Sequence, residues 1–96
     1  MDKRDFFDFI LGKVCEMTEL SEEKVCKSNE EECVDARYVV IAVLSDKLSD
    51  KQIAEVSGWS VQLICKARNS FHKRCKYRYG LKEMYKKLCI FASCEE

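Results

Sequence analysis

Between Ser60 and Asn69 the sequence reads "SVQLICKARN". Ser60, Val61, Gln62, Cys65, Lys66 and Asn69 are spaced so that, on a helix, they look away from Ile64 and Ala67. Those side chains suit recognition rather than bond-making. Gln62 and Asn69 have the paired donor and acceptor that match an adenine edge, Lys66 reaches guanine or phosphate, and Val61 suits a thymine methyl. Arg68, Lys73 and Arg74 follow as flanking cations for phosphate oxygens. Nothing in the sequence suggests a reaction centre. The lone His72 sits among basic residues with no serine, cysteine or carboxylate placed to act with it, so it reads as a surface residue. The expectation is a non-enzyme.

The other chemistry-bearing side chains are seven cysteines: Cys15, Cys26, Cys33, Cys65, Cys75, Cys89 and Cys94. No two are closer than five positions. Zinc sites use local pairs such as CxxC or Cys/His, and none occurs. The odd number, without an export signal, argues against a disulfide framework. These residues read as reduced thiols packed as small hydrophobes. No metal and no cofactor are expected.

A recognition surface needs a scaffold to present it. In "QIAEVSGWSVQLICKARN" the small Ala54, the glycine four places on at Gly58 and the aliphatic Ile64 have the spacing of a helix-turn-helix. A small side chain lets the second helix approach the first, a glycine takes the tight turn, and a branched apolar residue enters the core. Ser49 with Gln52 three places later forms a capping box that starts the first helix, and Ser60 caps the second. Trp59, at the turn, reads best as a packing residue; stacking on a sugar or anchoring a partner protein are the alternatives.

The rest of the chain is helical in pattern. Phe7, Ile10, Val14 and Met17 form one stripe between Asp5 and Met17. Ser21 caps a short helix with Glu22 and Glu23 in its first turn. Asn29 to Glu32 is a polar break. "YVVIAVL", Tyr38 to Leu44, is rich in β-branched residues but has no second strand to pair with, so a buried central helix is expected. Ile64, Ala67, Phe71 and Cys75 face inward after the turn. Gly80 breaks the chain, and Leu81, Met84, Tyr85, Leu88 and Phe91 form the last stripe, followed by a frayed "ASCEE" tail. The fold expected is all-α: a small orthogonal bundle of about five to six helices, one domain over residues 1–96, containing a helix-turn-helix.

The net charge of zero over 96 residues hides a division. Residues 1–48 carry seven Lys/Arg and twelve Asp/Glu, whereas residues 49–96 carry ten and five. The two halves are thus −5 and +5, a pattern that favours a polyanionic partner unless the acidic half neutralises the basic one. Nearly half the residues are hydrophobic and there is no proline, as suits a helical soluble domain. Charges interrupt the apolar N-terminal run, so neither a signal peptide nor a membrane span is expected, and the cytoplasm is the expected compartment.

The stretch "VDARYVVIAVLSDKLSDKQIAEVSGWSVQLICKARN" resembles the C-terminal DNA-binding domain of the bacterial replication initiator DnaA, of the Trp-repressor-like helix-turn-helix group. The resemblance runs from Phe7 to Phe71. It implies that Lys27 stands for a loop lysine that enters the minor groove and Arg37 for a backbone contact at the start of the long helix. It equally implies Gly58 at the turn and Ile64 and Ala67 in the core. Where the family opens its reading helix with Asp-His-Thr-Thr, this chain has Ser60, Val61, Gln62 and Leu63; where its loop is basic, this chain continues "SNEEE". The partner implied is double-stranded DNA, read with weak or altered specificity. The alternative is a protein-interaction module on the same scaffold.

Overall fold

The computed structural model describes residues 2–94, and these form six α-helices with no strand among them. They are α1 (Lys3–Thr18), α2 (Glu22–Lys27), α3 (Glu31–Ser45), α4 (Asp50–Ser57), α5 (Val61–Tyr77) and α6 (Leu81–Cys94). The all-α bundle expected from the periodicities is therefore the fold.

Helix α3 is the axis. Every residue from Asp35 to Leu44 is buried, so the helix is covered on all sides. A helix apolar around its whole circumference is stable only when others enclose it, and α3 packs against all five. "YVVIAVL" is thus helical despite its β-branched composition, because tertiary burial overrides a weak strand propensity. α3 begins at Glu31, so the last half of the expected polar break is its first turn. Two carboxylates there are favoured by the positive helix end.

Caps and turns fix the remaining helices. The Asp2 side chain accepts from the Asp5 N–H, and Ser21 does the same for Lys24. At Ser49 the box is reciprocal: Gln52 N–H donates to Ser49 Oγ at 3.2 Å, and Ser49 N–H donates to Gln52 Oε1 at 2.9 Å. Gly58 ends α4 at φ +81° and Gly80 precedes α6 at φ +86°. Both angles are in the left-handed region, where a side chain is strained.

α2 has only six residues, too short to hold itself. Its terminal carbonyls are satisfied from elsewhere in the bundle. Arg37, only 7% exposed, donates Nε–H to Val25 O at 2.8 Å and Nη2–H to Ser28 O at 2.6 Å. Trp59 donates its indole N–H to Cys26 O at 3.2 Å. Its ring also meets Phe7 edge-on, with centroids 5.7 Å apart. One short helix end therefore ties α1, α3 and the turn after α4 together.

α6 departs from expectation in two respects. Leu81, Leu88 and Ala92 are buried, whereas Phe91, expected to face inward, is exposed and lies beneath Lys13 Nζ, 5.0 Å from its ring centre. The helix also continues through the start of the expected tail, where Ala92 packs in the core. Glu95 and Glu96 are outside the described residues.

Candidate nucleic-acid interface

α4 and α5 meet across Gly58, Trp59 and Ser60. Ile53 of α4 and Ile64, Ala67 and Phe71 of α5 are buried. The Ser60 hydroxyl accepts from the Leu63 N–H, which starts α5 but leaves that oxygen already bonded. On the opposite side of α5, Gln62, Lys66, Asn69 and Lys73 are all exposed. At 100° per residue, positions i, i+4, i+7 and i+11 fall within about 60° of arc and span roughly 17 Å. They form one polar ridge. Val61, 47% exposed, stands beside its start, and Cys65 is half-buried at its edge. Asn69 Nδ2 donates weakly to Cys65 Sγ at 3.4 Å.

The arginines have a different fate. Arg68 is bidentate on Asp50, Nε to Oδ1 at 3.1 Å and Nη2 to Oδ2 at 2.8 Å. Arg74 Nε donates to Asp35 Oδ1 and Arg78 Nε to Asp35 Oδ2, both at 2.6 Å. Arg74 also donates to Glu31 at 3.1 Å, and its guanidinium lies 4.8 Å from the Tyr38 ring centre. Much of the charge division in the sequence is thus closed internally, the acidic start of α3 neutralising the basic end of α5.

Against the expected site, the structure brings Val61, Gln62, Cys65, Lys66, Asn69 and Lys73 onto one helix, four of them on a single ridge, with Ser60 as its N-cap. It removes Arg37, whose burial and two carbonyl partners give it a structural place instead of the expected surface contact. Arg68 and Arg74 are on carboxylates. Lys27 is exposed at the end of α2, and the exposed Glu30, Glu31 and Glu32 follow closely. Sequence reasoning missed Asp35 and Asp50 as the residues that occupy the arginines. A signal existed: Glu31 and Asp35 are four apart on one face of α3, and Arg74 in the last turn of α5 is followed four places on by Arg78, the residue that caps it.

The thiols lie apart. Cys15, Cys26, Cys33, Cys65, Cys75 and Cys89 are free, and among the described residues no group of three His, Cys, Asp or Glu is placed to hold a metal ion. Burial pushes the Cys15, Cys26, Cys75 and Cys89 thiols up from their ordinary value; at Cys26 the Arg37 charge opposes that shift. Among the described residues no helix is long and apolar enough to cross a membrane.

No family model, no curated protein and no solved structure matches this chain.

Proposed function

We propose that α4 and α5 are a helix-turn-helix and that the protein binds duplex DNA through the α5 ridge, with weak sequence preference. The observation that carries this reading is the ridge itself. Gln62, Lys66 and Lys73 are exposed opposite the core and make no hydrogen bond or ion pair among the described residues. A helix 10–12 Å across fits a B-form major groove of about 12 Å. In that pose Val61 and Gln62 meet base edges, while Lys66 and Lys73 meet phosphates.

Weak preference follows from what the ridge lacks. Each good bidentate base contact is worth about 1–3 kcal/mol of discrimination. Gln62 is the one unbonded amide near the start of α5, since the Ser60 oxygen caps the helix. The acidic Glu30–Glu32 stretch beside Lys27 opposes a minor-groove arm, because Glu30 and Glu32, which unlike Glu31 pair with no arginine among the described residues, repel the phosphate backbone. The likeness to the initiator's domain therefore bears on scaffold more than on target, and the initiator's box should be bound no better than scrambled duplex.

The test is a chemical-shift titration of the labelled protein with a short duplex. Perturbations grouped on Val61, Gln62, Lys66, Asn69 and Lys73 support the reading; a footprint on α1 and α6 with α5 silent refutes it. The second reading, a protein-docking module, rests on the internal neutralisation of Arg68, Arg74 and Arg78. It predicts negligible salt-dependent DNA binding.

A further inference from the structure

The arginines of α5 are bonded to carboxylates, whereas Lys76 of α5 gathers with Lys82 and Lys86 of α6 around a groove. Between the second half of α5 and the first half of α6 lies an open cleft of about 420 Å³. Its floor is Phe71, Cys75 and Tyr85, and its rim is His72, Lys76, Lys82 and Lys86. Among the described residues no carboxylate lines it. Lys76 and Lys82 make no ion pair among the described residues. Among the described residues Lys86 pairs with Glu83 alone, at 3.9 Å and well exposed, a contact of little energetic weight.

The floor is fixed. The Phe71 and Tyr85 rings lie 5.1 Å apart, tilted by 58°. The Tyr85 hydroxyl donates to Asp46 at 3.0 Å, outside the cleft lining, which anchors the ring by its far end. Placing three lysines and an imidazole round one floor, with Glu83 and Asp46 nearby but outside the lining, raises the local positive potential and attracts an anion. Rings on the floor favour a ligand with an aromatic body. The volume is within the range of small-molecule sites, about 300–1,000 Å³.

We propose that the α5–α6 groove binds an aromatic phosphate of about mononucleotide size, its ring against the half-buried Tyr85, which the buried Phe71 backs, and its phosphate between Lys76, Lys82 and Lys86. This site is on the flank of α5, adjoins the end of the Gln62–Lys73 ridge at Lys76 but shares no residue with it, and does not rest on the DNA reading. It requires no covalent step.

The experiment is calorimetric and chemical-shift titration of the full chain with AMP, phosphotyrosine, adenosine and inorganic phosphate. The expected result is saturable binding of AMP or phosphotyrosine, at least tenfold tighter than adenosine or phosphate alone, with shifts on Phe71, Cys75 and Tyr85. Which of the two binds more tightly identifies the ring. Lys82→Gln with Lys86→Gln should weaken that binding at least tenfold while the melting temperature is retained. Absence of saturation, equal binding of inorganic phosphate, or indifference to the double substitution would each overturn the proposal. Lys66→Gln, on the ridge, should leave it unchanged.

Discussion

Replacing Arg37 separates a structural guanidinium from a DNA contact. Its two hydrogen bonds, 2.8 Å to Val25 O and 2.6 Å to Ser28 O, come from a cation with 7% exposure. Hydrogen bonds from charged groups contribute about 1.5–3 kcal/mol each. In Arg37→Met both carbonyls lose their donor, but Ser28 is only half-buried and water can replace part of its loss. The lower end of the range therefore applies, about 3 kcal/mol in all. For a domain of this size that lowers the melting temperature by roughly 12–24 °C. Arg37→Lys keeps the charge but lacks the planar fork, and should recover only part of the loss. The assay is thermal and urea unfolding of the three proteins, followed by DNA titration at a temperature where all are folded. A variant Arg37→Met that melts within about 3 °C of the parent would refute the role. So would a folded Arg37→Lys protein with tenfold weaker DNA binding, which would mark Arg37 as a ligand of the backbone.

Three further outcomes are checked by the same unfolding curves. Trp59→Phe keeps the edge-on contact with Phe7 but removes the donor to Cys26 O, and should cost about 1 kcal/mol. Gly58→Ala meets no atom within 4 Å of the new Cβ, so its cost is backbone strain at φ +81° alone, about 1–2 kcal/mol; Gly58→Asn should cost less. The folded-state pKa of Cys15, Cys26, Cys75 and Cys89 is raised from 9.0, chiefly by burial, and that of Tyr85 is raised from 10.0 for the same first reason. The folded state then holds these protons more tightly than the unfolded chain. Their stabilisation is full below about pH 9 and declines as pH rises through the folded values, so the melting temperature should fall in alkaline buffer. Constancy from pH 8 to pH 10.5 would contradict that.

The helices, the Ser49/Gln52 box and the inward face of α5 were legible because each is set by local spacing. α3 needed one inference beyond propensity: a β-branched run without a partner strand must be enclosed as a helix. The site was less legible. The side on which Gln62 and Lys66 lie follows from the positions of Ile64 and Ala67, so the ridge could be read. Which cations are available could not, because Arg68 meets Asp50 across 18 residues and Arg74 meets Asp35 across 39. Arg37 shows the same limit: its carbonyl partners are backbone atoms of α2 and its cap residue, twelve and nine residues away, and no residue type announces them. Phe91 fits the stripe of α6 by number, yet the helix turns Ala92 inward in its neighbourhood.

The most direct test of the central claim is the salt dependence of duplex binding. The logarithm of affinity falls with the logarithm of salt concentration by about 0.9 for each phosphate neutralised. If Lys66 and Lys73 supply two such contacts, Lys66→Gln with Lys73→Gln should flatten the slope by about two units. Arg74→Gln, whose charge is held by Asp35 and Glu31, should leave it unchanged. A wild-type protein with no measurable slope, or a slope that Arg74→Gln flattens and the lysine pair does not, would contradict DNA binding through the α5 ridge.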